Sequence, residues 1–186
     1  ICHCLVGSEM CIRDRTWIAS GFNGNMSYLD RHQEQKFNPS KLLPNTRSII
    51  SVRLDYLPLE AKSLHALRNK NIAYISRYAL GRDYHKVIRS KLKKLIAHIK
   101  DNLGEKFHFR LFTDSAPVLE VEIAEKSGLG WRGKHTLLLN KDHGSWFFLG
   151  EIYTDMPLPA DANTTKHCGS CTCLLYTSPS PRDSGK

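Results

Sequence analysis

The chain is predicted to be α+β, a mixed α/β sheet with flanking helices. Three observations carry that prediction. Arg47–Leu54 (RSIISVRL) is dense in β-branched residues, and Phe107–Phe112 (FHFRLF) alternates apolar with polar, so both read as strands. Ile88, Leu92, Leu95, Ile96, Ile99 and Leu103 recur at steps of three and four residues, which is one face of a helix. Asn140–Gly144 (NKDHG) is a turn former between two strand-like stretches, His135–Leu139 and Trp146–Tyr153, and predicts an antiparallel hairpin.

In chain order, Trp17–His32 is expected to open partway through a helix, and Pro39 and Pro44 bracket a loop. The strand at Arg47–Leu54 is closed by Pro58, and the basic helix spans Asp83–Asn102 with Gly104 as its cap. After Phe107–Phe112 comes TDSAPVLE (Thr113–Glu120). Asp114 or Ser115 is expected to cap a helix whose first turn holds Pro117, whose buried stripe is Leu119, Ile123 and Ala124, and which ends at Gly128. Pro157 and Pro159 begin a linker to a cysteine segment.

Composition narrows the function classes. With 41% hydrophobic and 24% charged residues, 186 residues suffice for one domain core. No apolar run approaches the roughly 18 residues of a membrane span. Glu9, Arg13, Asp14 and Arg15 interrupt any secretory core, so a cytoplasmic protein is expected. The six cysteines crowd the two ends, which excludes a disulfide scaffold. A net charge of +9, much of it in Arg89–Lys100, favours a polyanionic partner, with a merely solvated helix face as the alternative.

Leu5–Arg15 and Cys173–Asp183 resemble translations of one sequencing-library adaptor, read in opposite directions. Residues 1–15 and 173–186 are therefore expected to be non-native text. Residues 16–160 form the main domain, incomplete at its start, and 161–172 begin a second one.

Several residues are candidates for chemistry. Asp114 stands where a strand meets a helix, either as a cap or as an acid. A catalytic acid needs its pKa raised by burial, whereas a helix N-terminus lowers it. Ser76–His85 gathers Arg77, Tyr78, Arg82, Asp83, Tyr84 and His85, which suits a nucleotide or large polar cofactor, or an aromatic-packed loop. Gly128–His135 is glycine-rich and would let backbone approach a ligand, but it lacks a phosphate-loop ending, and its glycine content favours a tight turn. Cys168-x-x-Cys171 opens a zinc ribbon, a redox pair or an iron–sulfur site, and no further cysteine stands in register to complete it.

Taken together, RSIISVRLDYLP, ISRYALGRDYHKVIRSKL, FTDSAPVLE, EKSGLGWRGKHTLLLN, GSWFFLGEIYTDMPLP and HCGSCT resemble, in order, the N-terminal region of bacterial epoxyqueuosine reductases. The resemblance implies a nitroreductase-like cobalamin-binding domain, cut before a ferredoxin-like domain that holds 4Fe–4S clusters. It implies reduction of epoxyqueuosine to queuosine in tRNA, with the epoxide oxygen leaving as water. Asp114 then corresponds to the proton donor. Arg53, Tyr78, Asp83, Tyr84, His85, Lys134, His135 and Asn140 are the expected cobalamin contacts. Lys91, Lys93 and Lys94 are expected on the tRNA backbone, and Cys168 and Cys171 are the first two ligands of an incomplete 4Fe–4S site. The implied partners are tRNA carrying epoxyqueuosine and a reducing electron donor, with no membrane. A monomer is expected, and this shortened chain is expected to be inactive alone. Two other readings stay open: a non-catalytic basic RNA-binding module with a zinc-binding cysteine pair, and a related cobalamin or flavin reductase of a small molecule.

Overall fold

The computed structural model describes residues 2–3, 15–29, 32–58, 63–114 and 116–172. The adaptor-like text at 5–14 and 173–183, and Ser115 as a helix cap, lie outside the described residues. Six strands are present among the described residues: β1 (Cys2–His3), β2 (Ser48–Asp55), β3 (Phe109–Phe112), β4 (Trp131–Arg132), β5 (Leu138–Leu139) and β6 (Phe147–Thr154). The helices are α1 (residues 15–19), α2 (Gln33–Phe37), α3 (Ser63–Arg68), α4 (Tyr84–Leu103) and α5 (Glu120–Lys126). Of these, α2 and α3 fall where the sequence carries no helical period, and Trp17–His32, expected to open partway through a helix, is α-helical through residue 19 and forms a 3-10 turn at Ser27–Leu29.

The main sheet has strand order β1-β2-β6-β3, and every pairing in it is antiparallel. Strand β6 pairs on both sides, with β2 and β3, and is covered on both faces, so it is mostly buried. Period-two alternation sends Ile50, Val52, Leu54 and Ile152 toward Ile88 and Leu92 of α4. It sends Ile49 and Tyr153 the other way, onto Ile123 of α5, Phe112 and Leu42. The sheet is thus sandwiched between α4 and α5. Gly150 permits the close approach of α4: a Cβ there would stand 3.0 Å from Ile88 Cγ2 and 3.2 Å from Leu92 Cδ1. Helix α4 begins as expected, with Asp83 accepting from the His85 amide, and Gly104 caps its end at φ 79°.

Three expectations are corrected. The hairpin across Asn140–Gly144 does not join two long strands. Residues 140 and 144 bridge only each other, β5 pairs with β4 in a separate two-stranded sheet, and β6 pairs with β2 and β3. The long β6 needs a partner of its own length, and β2 matches it over eight residues. Next, α5 starts at Glu120, not near Asp114. Pro117 disfavours helical backbone at Ala116, so the chain runs irregularly through to Leu119. Lastly, the ligand-site rule for parallel α/β sheets does not apply to Asp114, because the sheet beside it is antiparallel.

The small hairpin depends on a bare backbone at Gly130, where a Cβ would lie 2.1 Å from the Leu139 carbonyl oxygen. Gly130→Ala is expected to force β4 and β5 apart and to destabilise the protein by about 1–3 kcal/mol, the usual penalty of overpacking. A thermal unfolding curve matching the unsubstituted protein would show that the hairpin absorbs the methyl group.

Candidate active site

Four of the expected site residues converge where β3 ends and α4 begins. Asp114 follows β3 in left-handed backbone geometry, φ 55°, which is unusual for a residue with a side chain. Its carboxylate Oδ2 accepts a short hydrogen bond from the Tyr84 hydroxyl and lies 2.9 Å from His85 Nε2. The other imidazole nitrogen, Nδ1, lies 2.9 Å from Asp83 Oδ1. Both ring nitrogens therefore face carboxylate oxygens and both must donate, so His85 is the imidazolium here. The Asp83 hydrogen bond raises the His85 pKa, and Asp114 adds to it. Tyr84 is fixed from both sides, stacked on Phe148 with ring centroids 4.2 Å apart and on His85 at 4.0 Å.

The Asp114 pKa is lowered, first by the Tyr84 hydrogen bond and then by His85, against partial desolvation. Burial and the bond to Asp114 raise that of Tyr84. At rest Asp114 is a carboxylate, and the nearest held protons are on His85 Nε2 and Tyr84 Oη.

Behind this cluster lie two acids that sequence reasoning missed. The Asp114 backbone N–H donates to Glu120 Oε1, at the start of α5. Glu120 is pushed up to about 7 by desolvation. Glu151, on β6, is fully buried, and neither carboxylate oxygen has a hydrogen-bond partner within the protein. Burial first, and the Glu120 charge next, raise its pKa well above the usual carboxylate range. An acid inside the apolar strand FFLGEIYT was the available signal.

The remaining predicted residues do not bond to Asp114. Tyr78 is exposed and lines a cavity of about 250 Å³ with Tyr56, Arg77, Tyr84 and Phe148. Arg53 pairs with Asp55 at 3.5 Å and sits over the Phe147 ring. Lys134 donates to the carbonyls of Gly169 and Cys171, at 3.0 and 2.6 Å, bracing the turn that carries the cysteines. The Asn140 amide is used on the Leu129 carbonyl. His135 lines a second, mainly apolar cavity of about 240 Å³ with Trp131, Leu139, His167, Cys168 and Cys171, and its Nδ1 is buried without a partner. No residue lines both cavities, so the two groups of expected cobalamin contacts are separate here.

Cys168 and Cys171 are brought to one cavity, with the Cys171 amide donating to the Cys168 carbonyl and Trp131 Nε1 lying 3.4 Å from Cys168 Sγ. Among the described residues, no group of three or more His, Cys, Asp or Glu is placed to hold a metal ion. Lys91 and Lys94 line a groove with Arg82 and Lys86 along α4, whereas Lys93 lies outside it. No helix among the described residues is long and apolar enough to cross a membrane.

The fold and site define a class: an antiparallel α+β domain with a carboxylate–imidazolium–phenol cluster at one sheet end and a two-cysteine turn beside an apolar cavity. The family model "Epoxyqueuosine reductase QueG, DUF1730" matches residues 36–115. The epoxyqueuosine reductase of Vibrio cholerae is 48% identical over 165 residues, covering 89% of this chain and 44% of that protein. The crystal structure of a selenomethionine-labelled epoxyqueuosine reductase superposes with TM-score 0.76 at 25% identity, over 93% of this chain and 46% of that one. An epoxyqueuosine reductase solved with an epoxyqueuosine-modified tRNA stem loop shares the fold, with TM-score 0.74 and 24% identity over 91% of this chain and 44% of that one. The chain belongs to the epoxyqueuosine reductase family and spans less than half the length of these relatives.

Proposed function

We propose that this chain is the proton-delivering part of an enzyme that reduces epoxyqueuosine in tRNA to queuosine. The observation that carries the reading is Asp114, held between a phenol and an imidazolium just past the end of β3. The reaction breaks both C–O bonds of the epoxide, forms C=C, and needs two electrons and two protons to release water. The Tyr84 hydroxyl and His85 Nε2 each donate to Asp114 Oδ2, so transfer across either bond gives Asp114 a proton to deliver. Asp83 stabilises the charge on His85 and fixes the orientation of the ring. His85 Nε2–H is the better source, because Tyr84 holds its proton more tightly than an ordinary phenol.

Cobalamin, when bound, supplies the reducing electrons. The buried His135 Nδ1, without a hydrogen-bond partner beside an apolar cavity, fits a polar group at the edge of such a ring cofactor, and His135 would hold it there. Cys168 and Cys171 fit half of a four-thiolate cluster site. We place the enzyme in the cytoplasm as a monomer, drawing on an external reductant.

The groove of Arg82, Lys86, Lys91 and Lys94 suits a phosphate backbone, which lysines bind without reading sequence. Binding of tRNA is expected to weaken steeply with salt, and the slope to fall by about one for each of Lys91→Ala and Lys94→Ala. A flat salt response would remove the groove from tRNA binding.

The rival RNA-binding module differs in its metal. Elemental analysis of the full-length enzyme carrying this segment, purified with cobalamin supplied, is expected to find cobalt and iron. Zinc without cobalt would favour the rival.

A further inference from the structure

We propose that Glu120 is a positioning residue, gripping the Asp114 backbone so that its carboxylate stays on Tyr84 and His85. This rests on the reading of Asp114 as the proton donor, and it adds a residue and a pH dependence to it.

A left-handed aspartate is held against a local preference of roughly 1–2 kcal/mol and persists only where its surroundings fix it. The carboxylate end is fixed by Tyr84 and His85. The backbone end is fixed by one acceptor, Glu120 Oε1, six residues ahead. That bond spans the irregular turn between β3 and α5, so the stable helix anchors the reactive residue. Glu120 is also the first residue of α5, and Ile123 and Ala124 of the same helix are buried against the sheet.

The groups around Glu120 make the grip titratable near neutrality. Burial raises the Glu120 pKa, the hydrogen bond from the Asp114 amide lowers it, the Asp114 charge raises it and His85 of α4 lowers it. Behind it on β6 stands Glu151, whose cross-strand neighbour on β2 is Ser51. On the same face of β2, Arg53 is engaged by Asp55. On α5 itself, Glu122 pairs with Lys126. Arg132 of β4 turns its amide to Glu125. The described charges of the packed elements thus leave Glu120 without a cation in direct contact. Desolvation dominates, and its carboxyl titrates at about 7. An ionised carboxylate accepts an N–H bond more strongly than a neutral acid, so the grip tightens as pH rises through that value.

The test uses the full-length enzyme with epoxyqueuosine-bearing tRNA, comparing Glu120→Gln with the unsubstituted enzyme from about pH 6 to about pH 8. Glutamine keeps the shape and a carbonyl acceptor but cannot ionise, so the fold is retained, which a thermal melt checks. The expected result is a kcat about tenfold lower at the alkaline end, the scale of one weakened charge-assisted bond. KM for tRNA should stay within about twofold, and the rise of kcat with pH should disappear. A Glu120→Gln profile superimposing on the unsubstituted one, with Asp114→Asn inactive, would overturn the grip and leave the proton donor standing. Full turnover in Asp114→Asn would instead overturn the donor, and the grip with it.

Discussion

Asp114→Asn in the full-length enzyme is expected to lose about 10²–10⁴-fold in kcat, the usual contribution of a positioned acid, while cobalamin content and tRNA affinity stay near normal. The amide can still accept from Tyr84, so the turn geometry survives. It cannot take a proton from His85 and pass it on. The lowered Asp114 pKa sharpens this expectation. Its ground state is the carboxylate, so the site works by moving a proton from His85 to Asp114, with Asp83 stabilising the imidazolium, not by keeping an acid protonated in advance. His85→Ala should therefore also be impaired, since Asp114 would lose its nearest readily given proton. Retained cofactor together with normal turnover in Asp114→Asn would remove it from the role.

The second large effect concerns the buried acids and stability. Glu151 has a raised pKa in the folded state, and Glu120 titrates there at about 7. In the unfolded chain both titrate near 4.5. As pH rises past that value the unfolded state releases its protons while the folded state keeps them, so stability falls as pH rises toward neutrality. His85 acts in the same direction: its raised pKa contributes stability below about 6.5 that is lost as pH climbs through the folded value. Asp83, Asp114 and Asp155 have lowered pKa values and contribute above the ordinary aspartate range, so they stay constant across this window. Glu151→Gln removes the most deeply buried of these acids. It is expected to raise the melting temperature at about pH 8 and to change it little at about pH 5, flattening the slope between them. An unchanged slope would mean that Glu151 is paired or hydrated in solution.

The elements with strong local signals were legible in the sequence. Helix α4 declared itself through its apolar stripe with Asp83 and Gly104 at its ends, and β2 and β6 through β-branched and aromatic density. What the sequence hid was set by partners distant along the chain. Leu138–Leu139 pairs backward with Trp131–Arg132 because β6 is claimed by β2 and β3, and no local pattern records that competition. The same holds in the site. Asp83, Tyr84 and His85 stood together in one block, but their convergence on Asp114, 29 residues beyond His85, appears only when β3 packs beside α4. Asp114 looked like a helix cap because Asp-Ser-Ala-Pro commonly opens a helix. The pull of Tyr84 and His85 on its side chain, and the delayed start of α5, decided otherwise.

The most direct measurement is mass spectrometry of nucleosides from epoxyqueuosine-bearing tRNA, incubated with the full-length enzyme carrying this segment, cobalamin and a strong reductant. Conversion to a nucleoside lighter by one oxygen, lost in Asp114→Asn, is the predicted result. Tight tRNA binding with the epoxide left intact by the unsubstituted enzyme would contradict the account and favour a binding module.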